Sequence, residues 1–337
     1  MFATLSDFHD ALYDLPPANE AWRGQARERQ TQLTKPPGAL GRLEECAVFL
    51  AGWGDEAAPR IENPRIIVFA GNHGVTARGV SPFPPDVTEQ MVANFAAGGA
   101  AINALAKSCG ASLDVVPLAL DRPTGDISRG AAMSEAELLE ALNAGASAVA
   151  QGGDLLAFGE MGIGNTTIAA ALAALAFGGT GADWAGAGTG LDAEGIAHKA
   201  RVLDEVIALH KNNARSAADT LRLVGGRETA AIAGAILAAR HRRVPVVLDG
   251  YVVSASLAPL FCDNPAIVEH CIAGHCSAER AHGKLLGYFG LRPLLDLDMR
   301  LGEGTGAAVA ISVVKAAVCA HNEMATFTEA RVANRND

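Results

Sequence analysis

Between residues 61 and 297, short apolar runs alternate with longer amphipathic segments, and this alternation constrains the fold more than any other feature of the chain. Six runs read as strands: 65–70, 113–118, 154–158, 245–249, 266–272 and 292–297. The first, Arg65-Ile-Ile-Val-Phe-Ala70, is almost continuously apolar, as expected of a strand covered on both faces. Helical patterns fill the gaps at 86–107, 134–151, 166–177, 193–210, 227–242 and 278–289. Strands separated by helices pair in parallel through right-handed crossovers. The expected core is therefore an α/β, doubly wound, mostly parallel sheet of six strands.

Residues 1–58 carry no strand signal. Helical stretches at 5–15, 19–33 and 40–53 are punctuated by Pro16-Pro17 and Pro36-Pro37. A last helix, from Gly306 to about Glu323, runs beyond the sheet and could pack on them. The expected division is a small helical domain, 1–58 plus about 307–337, and a catalytic domain, 59–306. Residues 331–337 read as a polar, frayed tail.

Length and charge exclude some classes. The 337 residues suit one large α/β domain with an appendage. A net charge of −10 argues against nucleic acid as the main partner. The N-terminus shows neither a basic nor an apolar signal region. The longest apolar runs, 168–177 and 307–314, fall short of the roughly 20 residues needed to span a bilayer. These features read as a soluble, cytoplasmic protein. None of the six cysteines forms a Cys-x-x-Cys pair. His270-Cys-Ile-Ala-Gly-His275-Cys276 fits no standard zinc spacing, so no metal site is expected.

Chemistry is expected in the loops that follow the strands, where open α/β sheets bind ligands. Gly159-Glu-Met-Gly-Ile-Gly-Asn-Thr-Thr167 opens directly into a helix. Its glycines allow close backbone approach, and the helix start offers free N–H groups to a phosphate. It lacks the Walker lysine, and its glycine spacing is not the dinucleotide fingerprint. A second glycine loop, Ala185-Gly-Ala-Gly-Thr-Gly-Leu191, contains Gly188 and precedes Lys199, either a solvated cation or a partner for an anion. His73 follows the first strand and could be a base or a structural histidine. No Gly-x-Ser-x-Gly elbow occurs, which disfavours a serine hydrolase. The last loop, Leu301-Gly-Glu-Gly-Thr-Gly306, exposes one carboxylate, Glu303, between glycines. Glu303 could cap the helix that follows or serve as a proton acceptor.

Several motifs together carry a resemblance. They are Lys35-Pro-Pro-Gly-Ala-Leu-Gly-Arg-Leu-Glu44, Ala70-Gly-Asn-His-Gly-Val75 with Gly79-Val-Ser81, Val87-Thr-Glu-Gln-Met91, the 159–167 loop, Gly186–Asp192 with His198-Lys199, Leu248-Asp-Gly250, Gly274-His275 and the 301–306 loop. In this order, across about residues 34–315, the chain resembles the nicotinate-nucleotide–dimethylbenzimidazole phosphoribosyltransferase family of the lower-ligand branch of cobalamin synthesis. The resemblance implies a homodimer with a Rossmann-like domain and a small helical domain built from both termini. It implies transfer of the 5-phosphoribosyl group of nicotinate mononucleotide to 5,6-dimethylbenzimidazole, giving α-ribazole 5′-phosphate and nicotinate. Carried over, Glu303 is the general base. Glu160 and Lys199 lie near the nucleotide, Gly162, Gly164, Asn165 and Thr166 form its phosphate loop, and Ser81, Gln90 and Leu301 line the base pocket. Gly188 joins the substrate-binding set through the second glycine loop. The expected partners are these small molecules, with no cofactor, no nucleic acid and no membrane. The alternative is a nucleotide-binding sensor or carrier without turnover, and the sequence does not fix which base is used.

Overall fold

The structure, a computed structural model, describes residues 2–54 and 56–333. Residues 334–337 of the polar tail lie outside the described residues. Strands β1 (Pro64–Ala70), β2 (Ser112–Pro117), β3 (Leu155–Met161), β4 (Val246–Leu248) and β5 (Cys271–Ala273) form one parallel sheet in the order β2-β1-β3-β4-β5.

Side chains alternate across these strands, so each face gathers its own core. Ile67, Phe69, Leu156, Phe158, Val246 and Leu248 pack with the helices Glu135–Ala150, Asn165–Phe177, Arg227–His241 and Tyr251–Asp263. Ile66, Val68, Leu155, Ala157, Val247 and Ile272 pack with Ala101–Cys109 and Thr305–Glu323. All seven residues of β1 are buried, as its apolar run requires. The helices Glu135–Ala150 and Arg227–His241 approach each other at two glycines. A Cβ on Gly145 would strike the Ala231 carbonyl, and one on Gly234 the Leu142 carbonyl.

The sheet has five strands, not six. Beyond Gly274, β5 continues as β6 (His275–Cys276), and the segment expected as a sixth strand contributes only β7 (Leu295–Asp296) beside it, in a separate two-stranded parallel sheet. Pro293 precedes β7 and has no N–H to give a ladder, and Asp298 turns left-handed at φ +54 just after it. The expected strand at 266–272 is mostly a 3₁₀ turn, Pro265–His270, because the Asn264 side chain accepts from the Ala266 N–H and Pro265 starts the turn. The long helix expected at 86–107 is two helices, Val87–Ala97 and Ala101–Cys109, separated at Gly98 with φ +79.

Thr305–Glu323 is, among the described residues, the helix whose length and mean hydropathy of 1.2 would suffice to cross a bilayer. Here it is a core helix: Ala307, Ile311 and Val314 belong to the cluster on one sheet face. Its far end meets the N-terminal helices. Arg29 donates to the carbonyls of His321 and Asn322 at 2.8 and 2.9 Å, and Gln30 bonds His321 at 2.7 Å.

Candidate active site

The carboxyl ends of β3, β4 and β6 and the loop before Glu303 enclose one cleft. Its floor begins at Glu160, which the structure places within β3, one residue before its end, and not in the following loop. Asn165 donates to this carboxylate through a short hydrogen bond. Burial holds Glu160 well above the usual carboxylate range, and the charges of Asp249, Glu228 and Glu303 push the same way.

After β3 the chain turns through Gly162, Ile163 and Gly164 into the Asn165–Phe177 helix. Gly164 sits at the helix N-cap with φ +89 and supplies no side-chain cap; the Asn165 and Thr167 N–H groups donate to the Gly162 and Gly164 carbonyls, which leaves the Thr166 N–H to face a ligand. The loop is tied down from behind by Thr88, whose Oγ1 accepts from the Ile163 N–H at 3.1 Å. Thr166 opens the helix, and Lys199 Nζ donates to its hydroxyl at 2.7 Å. Lys199 reaches this point from the Ala193–His210 helix and is fully buried. Burial lowers its pKa to about 8, against which the Glu279 charge pulls upward.

The second glycine loop closes the opposite wall. Gly188 has φ +54, and a Cβ there would stand 2.8 Å from Thr166 Oγ1. Its carbonyl accepts from Arg300 Nη1 at 3.3 Å. Two cations, Lys199 and Arg300, thus flank a helix N-terminus, which is an arrangement that suits a phosphate.

Of the residues expected from sequence, Glu160, Gly162, Asn165, Thr166, Gly188 and Leu301 line this cleft together. Gly164 and Lys199 lie directly behind it. Ser81 and Gln90 are not in its lining. Ser81 Oγ accepts from the Phe83 N–H, and Gln90 is exposed on the Val87–Ala97 helix. His73 is buried beneath the loop and outside the cleft lining, its Nε2 3.0 Å from Glu228 Oε1. The residues of the His270–Cys276 segment scatter, with the His270 ring on the Ile236 carbonyl and Cys276 Sγ on that of Ser277. No described group of three or more His, Cys, Asp or Glu is arranged to hold a metal ion.

Glu303 sits just behind the cleft rather than in its wall. It is 5% exposed and adopts φ +62 between Gly302 at +83 and Gly304 at +87. Three successive left-handed residues form a turn that turns the carboxylate inward. Burial raises its pKa, Asp249 adds to that, and the Ile102 N–H opposes it. Its Oε2 has no partner. Sequence reasoning missed Arg300 and Glu279 as site residues. Arg300 was detectable as the cation immediately before the 301–306 loop, whereas Glu279 carried no local signal.

The phosphoribosyltransferase family model matches residues 15–332. The nicotinate-nucleotide–dimethylbenzimidazole phosphoribosyltransferase of Novosphingobium aromaticivorans is 56% identical over 333 residues, 99% of this chain and 98% of that one. The chain belongs to this phosphoribosyltransferase family. A protein of the same name from Ruegeria pomeroyi is 55% identical over 330 residues, covering 98% of both chains. The crystal structure of CobT from Thermus thermophilus superposes with a TM-score of 0.87 at 40% identity, over 93% of this chain and 99% of that one. The cleft described above lies at the carboxyl ends of the parallel strands β3 and β4, the side on which open α/β sheets bind ligands.

Proposed function

We propose that this chain transfers the 5-phosphoribosyl group of nicotinate mononucleotide to 5,6-dimethylbenzimidazole, releasing nicotinate and giving α-ribazole 5′-phosphate. The phosphate rests at the Gly162–Thr166 turn and the start of its helix, with Lys199 and Arg300 as counter-charges. Glu160 and Gly188 hold the nucleoside part. Leu301 flanks the benzimidazole, and Ser81 and Gln90, outside the cleft lining here, reach it only if the 81–90 segment, joined to the phosphate turn by the bond from Ile163 to Thr88, moves inward when the base binds.

The leaving nicotinate is a pyridinium in the nucleotide and departs without needing a proton. One benzimidazole nitrogen attacks C1′ from the face opposite the leaving group, which inverts that centre. The other nitrogen's N–H becomes acidic as charge builds on the ring, and Glu303 accepts its proton. Fixing base and sugar in line supplies a further part of the rate. The observation that carries this reading is the buried, unpartnered Oε2 of Glu303, a carboxylate whose charge reaches Glu160 in the floor of the cleft.

We read the working form as a cytoplasmic homodimer, with residues 1–58 and about 307–337 as a small helical domain beside the 59–306 catalytic domain. The bonds from Arg29 and Gln30 to His321 tie the far end of the Thr305–Glu323 helix to the N-terminal helices, while its first half packs on the sheet.

Protein incubated with nicotinate mononucleotide and dimethylbenzimidazole should release nicotinate and yield a product with the mass of the riboside phosphate. Glu303→Gln should bind the nucleotide yet turn over at least ~10²-fold more slowly. Nucleotide binding without nicotinate release, across a panel of benzimidazoles and purines, would instead mark a sensor or carrier. Normal turnover in Glu303→Gln would remove Glu303 from its role.

A further inference from the structure

Asp249 directly follows β4 and is 1% exposed, yet it lines no wall of the cleft. Its carboxylate is spent on the turn that carries Glu303. Oδ2 accepts from the Gly304 N–H at 3.2 Å and Oδ1 from the Ala307 N–H at 2.9 Å. These amides begin the Thr305–Glu323 helix, whose own N-cap, Gly304, has no side chain to offer. Asp249 therefore caps that helix from another strand, where a negative charge also complements the helix dipole.

The turn needs such an anchor. A glutamate at φ +62 is in a region that side chains with a Cβ disfavour. Asp249 grips the chain on the C-terminal side of that residue. His275, from β6, completes the clamp: its Nε2 lies 3.7 Å from Asp249 Oδ1, and its ring packs where a Cβ on Gly306 would stand.

We infer that Asp249 is a positioning residue, which fixes the Glu303 turn through the Gly304 and Ala307 amides and so holds the Glu303 carboxylate in its reacting orientation. This rests on the reading of Glu303 as the proton acceptor. Asp249 touches neither substrate nor reacting atoms in this scheme. Its charge nevertheless reaches Glu303. The groups that face Glu303 are Asp249 from β4, Glu160 from β3 and the Ile102 N–H from the Ala101–Cys109 helix, with His275 behind Asp249.

Asp249→Asn tests this in the full chain. The amide keeps the size and one acceptor oxygen but loses the charge and half of the grip. After circular dichroism shows the fold intact, kcat, KM and the pH profile are read from nicotinate release. The expected result is a fall in kcat of about 10-fold or more with KM for the nucleotide within about threefold of wild type. The acid limb of kcat should also shift to lower pH, because a neighbouring negative charge is gone. A capping residue with no tie to Glu303 would lower stability and leave that limb in place. An unmoved limb, or kcat within about twofold of wild type, overturns the inference. If Asp249→Asn does not fold, Asp249→Ser, which keeps an acceptor without the charge, is read by the same criteria. Failure of the underlying reading looks different: Glu303→Gln then turns over normally, whatever Asp249→Asn does.

Discussion

Gly159 lies directly under the main chain of Glu303. A Cβ built on Gly159 would collide with the carbonyl carbon and oxygen of Glu303 and stand 2.6 Å from the Gly304 nitrogen. β3 and the last loop therefore touch backbone to backbone, and the position of the Glu303 carboxylate is set by the absence of a side chain 144 residues earlier in the sequence. Gly159→Ala should push the turn outward by about 1 Å, the amount by which that Cβ falls short of ordinary contact. Displacements of that size cost about 10²-fold in rate. We expect kcat to fall by that order with the protein still folded. Nicotinate release at saturating nucleotide checks it, and a variant as active as wild type would show that the turn has slack.

The burial of Glu303 has a consequence for pH and for stability. Its pKa is raised by burial and by Asp249, so its ionised form is disfavoured in the fold. The stability linked to the neutral form is fully present below the ordinary carboxylate pKa and is lost as pH rises through the higher folded value. Activity has the opposite requirement, because only the carboxylate accepts a proton. The acid limb of kcat/KM should thus lie above the ordinary carboxylate range. Glu303→Gln should be inactive yet melt at a higher temperature than wild type at pH 8. A lower melting temperature in that variant would contradict the direction of the shift.

Lys199 behaves as the complementary case. Burial lowers its pKa to about 8, so the fold disfavours its charge. The neutral form is favoured in the folded chain, and stability of the free protein should increase as pH rises from about 8 toward the ordinary lysine value. An anionic nucleotide reverses this by supplying the missing counter-charge. The KM for nicotinate mononucleotide should rise as pH passes above 8. Lys199→Met should raise KM at pH 7 by about 30-fold or more, the equivalent of roughly 2 kcal/mol for a desolvated charge pair. It should also abolish the rise above pH 8. Initial-rate measurements between pH 6.5 and 9.5 separate these outcomes.

The helix–strand alternation was readable because burial on both faces leaves an unbroken apolar run, as in β1. Where a strand is short the signal fails. The 292–297 and 266–272 segments are apolar enough for strands, but Pro293, Asp298 and the Asn264 cap decide their conformation locally. The phosphate turn was legible for a related reason: Gly162, Gly164 and Thr166 are adjacent in sequence and act through their own backbone. Glu279, Arg300 and Asp249 reach the site from three separate loops, and their roles depend on contacts between strands that no local pattern encodes. Glu160 was visible as a residue but its place in β3, rather than in the loop, came only from the ladder with Phe69.

The proline motif near the N-terminus is also explained by contacts rather than chemistry. Lys35 Nζ lies 2.8 Å from Glu44 Oε1, with side-chain exposures of 5% and 15%. The same oxygen accepts the Leu40 N–H at 2.9 Å, and Lys35 also donates to the Gln30 carbonyl at 3.1 Å. The pair thus ties the 35–44 turn between the Glu20–Gln32 and Arg42–Trp53 helices. Burial alone would raise the Glu44 pKa, but the Lys35 hydrogen bond, the Leu40 amide and the Lys35 charge outweigh it and lower it. A lowered carboxylate contributes stability above its unfolded pKa and loses it as pH falls through the folded one. Lys35→Met leaves the half-buried Glu44 without its counter-charge and should cost about 1–2 kcal/mol in urea unfolding at pH 7. Because the carboxylate is then no longer held ionised, the difference from wild type should narrow below about pH 4. Pairing Lys35→Met with Glu44→Leu should recover part of the loss, since the uncompensated charge is gone. A double variant no more stable than Lys35→Met would mean that the turn depends on the hydrogen bonds to Leu40 and Gln30 and not on the ion pair.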